Sequence, residues 1–130
     1  MPKTVLCPEN LAFQPRPSYP YSPGARGGSY VFTAGQVAWD GRGEVTGSGD
    51  VRGQTLQTLN NVKSVLAEGG AGLDDVLKCS VYLKDMSDFQ AMNEVFARFF
   101  PDQPPARTTV QAALAEPEML VEIEAIAYIV

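Results

Sequence analysis

The sequence predicts an α+β domain: one mixed, mostly antiparallel sheet with two helices on one of its faces. Three observations carry this. Segments follow in the order strands, helix, strand, helix, strands. Two stretches repeat apolar residues at helical spacing, and two others alternate in side-chain character as half-buried strands do. The 130 residues, 45% hydrophobic and 19% charged, have the size and balance of one globular domain spanning residues 1–130.

Residues 14–29, rich in Pro, Gly, Ser and Tyr, read as an ordered loop. Within them Gly24-Ala25-Arg26-Gly27-Gly28 reads as a turn, because no Gly-Lys-Ser/Thr and no helix follow to make a phosphate cradle. Tyr30 to Ala34 has strand composition. Val37-Ala38-Trp39 reads as a strand running into the turn Asp40-Gly41-Arg42-Gly43. Asp50 is placed to cap a helix carrying Val51, Thr55, Leu59, Val62 and Leu66, and Gly69-Gly70 stops it.

Leu77, Cys79, Val81 and Leu83 alternate with Lys78, Ser80, Tyr82 and Lys84, which predicts a strand with one buried face. Ser87-Asp88-Phe89-Gln90 has the form of a capping box. It opens a helix whose stripe is Phe89, Met92, Phe96 and Phe99, ended by Pro101. Thr108, Val110, Ala112 and Leu114 alternate with Arg107, Thr109, Gln111 and Ala113 as a further strand. After the turn Glu116-Pro117-Glu118 comes the last strand, Leu120 to Val130, paired in hairpin fashion so that Arg107 lies opposite residue 126 or 127. From Ala125 onward that strand is apolar on both faces. Two helices cover only one, so a neighbouring subunit is the expected cover for the other.

Composition excludes much chemistry. The chain has no histidine and two cysteines far apart, so a structural zinc site has no framework and a histidine-activated nucleophile is impossible. A net charge of −5 with scattered basic residues disfavours nucleic acid as a partner. The N-terminus lacks the apolar core of a signal peptide, and no apolar run has transmembrane length. The expectation is a cytoplasmic protein with reduced thiols and no membrane partner, with Cys79 a small core hydrophobe.

Arg, Glu, Tyr, Asn, Thr and backbone groups are left to carry any chemistry. Arg107 starts a strand after Pro104-Pro105-Ala106. It reads either as a strand-end charge in a surface ion pair or as a fork for a carboxylate. Glu122 and Glu124 share a strand face with Leu120, Ile126 and Tyr128. They read either as a solvated strand end or as a site where one glutamate handles a proton.

At these residues the chain resembles the RidA family, also called YjgF, of reactive intermediate deaminases. The resemblance rests on Pro20-Tyr21-Ser22-Pro23, Phe32-Thr33-Ala34-Gly35-Gln36, Gln57 to Val62, Val81 to Asp85, Phe89 to Asn93, Pro105-Ala106-Arg107 and Val121-Glu122-Ile123-Glu124-Ala125, in that order. It implies a chorismate-mutase-like fold, homotrimeric, with a site in each cleft between subunits. It implies cofactor-free hydrolysis of 2-imino and enamino acids, such as 2-aminoacrylate and 2-iminobutanoate, to 2-keto acids and ammonia. Such species leak from pyridoxal-phosphate enzymes.

By position, Arg107 matches the family's carboxylate-binding arginine and Glu122 the residue that handles the attacking water. Tyr21, Gly35, Asn93 and Thr109 match other substrate-binding positions. Ala34 stands where many active members have serine, Thr109 where several have cysteine, and Ala115-Glu116 replaces a common Leu-Pro. These departures bear on substrate range. Two rival functions are a non-catalytic module for small carboxylates or a partner protein, and an endoribonuclease or translation inhibitor, which the acidic balance and missing histidine disfavour.

Overall fold

The computed structural model describes residues 3–9 and 19–130, so residues 14–18 of the expected loop lie outside the described part. Six strands form one sheet: β1 (Thr4–Leu6), β2 (Gly24–Gly27), β3 (Tyr30–Thr33), β4 (Val76–Leu83), β5 (Ala106–Gln111) and β6 (Val121–Tyr128). Their order across the sheet is β1-β2-β3-β6-β4-β5. Helices α1 (Val51–Glu68) and α2 (Phe89–Phe99) pack on one face.

The core lies between that face and the helices. Val31 from β3, Cys79, Val81 and Leu83 from β4, and Val121, Ile123, Ala125 and Ala127 from β6 meet Leu59, Val62, Val65, Leu66, Met92 and Phe96. Among the described residues nothing covers the opposite face. Tyr30, Phe32 and Tyr128 are 46%, 47% and 41% exposed there, with the Tyr30 ring edge-on to Tyr128 at 5.0 Å. The second apolar face foreseen on the last strand is therefore real, and it extends across β3.

Helix α1 is built as its sequence dictates. The Asp50 side chain accepts a hydrogen bond from the Gly53 N–H at 3.1 Å. At the other end Gly70 takes φ +84°, and the Arg26 guanidinium donates to the Gly69 carbonyl at 2.8 Å.

Five expectations need correction. The stretch expected as a turn holds β2, which forms a hairpin with β3 through Gly28 at φ +58°. Glycines at Gly24 and Gly27 hide the alternation that would mark a strand. Val37-Ala38-Trp39 is not a strand; only single bridges form, Gln36 with Ile123 and Trp39 with Val45. The carbonyls of Val37 and Trp39 instead accept from the buried Asn61 amide, at 2.9 and 3.0 Å. The cap before α2 is not Ser87: Asp85 accepts from the Ser87 N–H at 2.9 Å and opens a short 3-10 turn, Met86–Asp88.

A bulge between Val76 and Lys78 turns Leu77 out to 54% exposure and puts Val76 into the core. Last, β5 does not form a hairpin with β6. It pairs in parallel with β4, Cys79 opposite Arg107 and Val81 opposite Thr109, and α2 is the crossover. β6 enters between β3 and β4 and runs antiparallel to both. Arg107 thus sits on an edge strand, two strands away from Glu122.

Candidate active site

Two half-sites emerge, one around each charged residue. On β6 the buried residues Val121 and Ile123 point into the core, so Glu122 between them points to the open face. Tyr82 of β4 is its cross-strand partner. Gly35 comes so close that a Cβ on it would fall on the Glu122 carboxylate. Burial raises the Glu122 pKa above the ordinary glutamate value, and the Glu124 charge on the same face adds to this. A cavity of about 400 Å³ opens beside the carboxylate, walled by Tyr21, Gly35, Val37, Trp39 and Met119. Tyr21 stacks on Tyr19 at 6.1 Å between ring centroids. The Tyr21 hydroxyl pKa is raised by burial first, then by Tyr19 and Glu122.

Arg107 belongs to the other face. Its neighbour across the ladder, Cys79, is fully buried under the helices, and the arginine side chain packs on α2. Nη2 donates to Asn93 Oδ1 at 2.7 Å, and Nη1 points to the Met92 sulfur at 3.7 Å. The guanidinium carbon stands 4.8 Å from the Phe96 ring centroid and 5.6 Å from that of Phe89. Among the described residues the ion pair is Arg52 with Glu94, and Arg107 takes part in none. Burial lowers its pKa, but a guanidinium remains charged at every pH of interest. Thr109 follows on the same side of β5, half-buried.

Of the residues named from the sequence, Tyr21, Gly35 and Glu122 come together, and Arg107, Asn93 and Thr109 come together. Within one chain the two groups lie on opposite faces of the sheet. Two contributions escaped the sequence reading. Phe89, Met92 and Phe96 were expected to be packing residues only, yet they also form the shelf under Arg107; the polar Asn93 beside that stripe is the signal that could have shown it. Trp39, the chain's single tryptophan, walls the Glu122 cavity, and its place directly before a turn is the only hint in the sequence. No group of three or more potential metal-ligating side chains occurs among the described residues.

The family description "Endoribonuclease L-PSP" matches residues 12–129. The chain belongs to this family, the YjgF/RidA family. It is 45% identical over 127 residues to a RutC family protein of Pyrococcus horikoshii, covering 97% of this chain and 98% of that one. It is 35% identical over 129 residues to the 3-aminoacrylate deaminase RutC of Acinetobacter baylyi, covering 99% and 100%. Among solved structures, E. coli TdcF with bound serine superposes with a TM-score of 0.85 at 33% identity, covering 96% of this chain and 98% of that one. The α+β architecture is thus that of the YjgF/RidA proteins, and enamine and imine deamination is an activity represented in the family. Among the described residues no helix is long and apolar enough to cross a membrane.

Proposed function

We propose that this RidA-family chain hydrolyses 2-imino and enamino acids to 2-keto acids and ammonia, in a site completed by a second copy of itself within a homotrimer. The observation that carries the reading is Arg107: a guanidinium half-buried on an aromatic shelf, anchored by Asn93, with no acidic partner among the described residues. A positive charge is costly to hold unpaired in such a place, and a carboxylate brought by a ligand is its natural complement. Glu122 lies on the other sheet face, so Arg107 must come from a neighbour. The aromatic face of Tyr30, Phe32 and Tyr128 is the surface such a neighbour would cover.

In this mechanism one copy's Arg107 grips the substrate carboxylate and fixes the imine carbon over the neighbour's Glu122. An enamine first takes a proton at carbon to become the protonated imine, the electrophile that water attacks. Glu122 accepts a proton from water as its oxygen bonds to the imine carbon and the C=N bond becomes C–N. It then passes that proton to the nitrogen of the resulting carbinolamine, whose hydroxyl gives up its own proton to solvent and becomes the keto C=O as the C–N bond breaks, releasing ammonia and the keto acid. A carboxyl whose pKa is raised by burial can serve in both directions. The A. baylyi relative, a 3-aminoacrylate deaminase, supports this class of reaction.

The test supplies a serine or threonine dehydratase with its substrate and follows keto-acid release. The protein should accelerate it. Arg107→Lys should lose ten- to a hundred-fold, since the planar two-bond clamp is worth about 1.5–3 kcal/mol over a point charge. Glu122→Gln should still bind a 2-keto acid but not turn over, and Glu124→Gln should matter less. Most of the turnover surviving in Arg107→Lys would overturn the reading.

A further inference from the structure

The cavity beside Glu122 is larger than a three-carbon imino acid requires. At a water's share of about 30 Å³ per non-hydrogen atom, the six such atoms of 2-iminopropanoate fill about 180 Å³. The cavity holds about 400 Å³, and Tyr21, Trp39 and Met119 also wall an adjoining one of about 390 Å³. Among the described residues around the first, Glu122 is the only charged one; the others are aromatic, aliphatic or glycine.

Both principal walls are pinned from α1 by buried amides. Asn61 Nδ2 holds the carbonyls of Val37 and Trp39, at 2.9 and 3.0 Å. Gln54, fully buried, donates to the Glu118 carbonyl at 2.7 Å and accepts from the Leu120 N–H at 2.8 Å, which fixes Met119 between them. The space is therefore built before any ligand arrives rather than opened by one.

We propose that Trp39, with Tyr21 and Met119, forms a side-chain subsite that directs this protein to 2-imino acids with branched or aromatic apolar side chains. The inference rests on the deaminase reading above. With the carboxylate held by a neighbour's Arg107 and the imine carbon over Glu122, the substrate's side chain is the remaining part to seat, and the apolar walls are where it goes. An acidic side chain would meet Glu122 and lose its hydration without a partner, so imines derived from aspartate are excluded.

The test compares imines generated in place by an L-amino-acid oxidase from leucine, alanine and aspartate. The leucine-derived imine should exceed the alanine-derived one in kcat/KM by about tenfold or more, the least that added methylenes give in a fitted apolar pocket. Aspartate should be poorest. Trp39→Leu should shrink the leucine-to-alanine ratio chiefly through KM, and Trp39→Phe should preserve it. Equal or reversed preference, or an unchanged ratio in Trp39→Leu, overturns the proposal. Because Trp39 is the sole tryptophan, its fluorescence reports the subsite directly. 4-Methyl-2-oxopentanoate should quench it at a concentration about tenfold below that needed for pyruvate. If no imine is hydrolysed, the deaminase reading fails by itself. The subsite then stands on that order of quenching and falls if pyruvate quenches equally well or neither acid quenches.

Discussion

Cys79 shows how burial and charge compete at one atom. It faces Arg107 across the β4–β5 ladder, and a nearby guanidinium normally stabilises a thiolate. Yet burial dominates and pushes the Cys79 thiol up to about 12, with Arg107 and Lys78 only moderating the rise. The thiolate is therefore scarce at pH 8, and the group behaves as the small hydrophobe its alternation with Val81 and Leu83 predicts. A Cys7→Ser protein should show no thiol reactive to a disulfide reagent at pH 8 when folded, and one equivalent once unfolded. A fast-reacting thiol in the folded variant would mean that Arg107 governs this position instead. Arg107 and Glu122 themselves became legible through the motif resemblance. Their spacing alone left both a surface charge and a working group open for each, because spacing does not say which strand is the neighbour.

At the scale of elements, periodicity did most of the predictive work and failed where backbone groups find unusual partners. Both helices, β4 and β6 follow from spacing and β3 from composition, since each buries one face against the core. The strand β2 stayed hidden because Gly24 must be small: a Cβ there would collide with Val65 of α1 and the Phe32 carbonyl. Val37 to Trp39 looked like a strand because its composition suits one, but the Val37 and Trp39 carbonyls accept from Asn61 and the Ala38 carbonyl from Thr46. The parallel pairing of β5 depends on β6 entering the middle of the sheet, a long-range choice that a short turn near Pro117 does not reveal.

Helix α1 thereby stabilises the site through side chains rather than through packing alone. Gln54→Leu should leave the Glu118 carbonyl and the Leu120 N–H without their partner, at a cost of about 1–3 kcal/mol for each group left dry. Thermal unfolding should show a midpoint several degrees lower. Arg52→Ala on the same helix breaks only the exposed pair with Glu94 and should leave the midpoint unchanged. Equal effects from the two substitutions would deny Gln54 its structural part.

For the whole molecule, the two sheet faces divide the labour. One face with its helices makes the core and carries Arg107; the other holds Glu122 and a band of exposed aromatic rings. With the roles proposed above, a chain alone presents a base without an anchor on one side and an anchor without a base on the other. Catalysis, on the reading proposed here, then belongs to contacts between copies, which has a genetic corollary. Two alleles, Arg107→Lys and Glu122→Gln, are each crippled in every contact of a pure assembly. Expressed together and mixed at random around a ring, they bring an intact arginine against an intact glutamate in about a quarter of the contacts. The mixture should therefore recover about a quarter of the parental activity per site, while the two proteins purified apart and combined without exchange of subunits should recover none. Inheritance of this kind, in which two broken copies make a working whole, would follow directly from an arginine and a glutamate on opposite faces of one sheet.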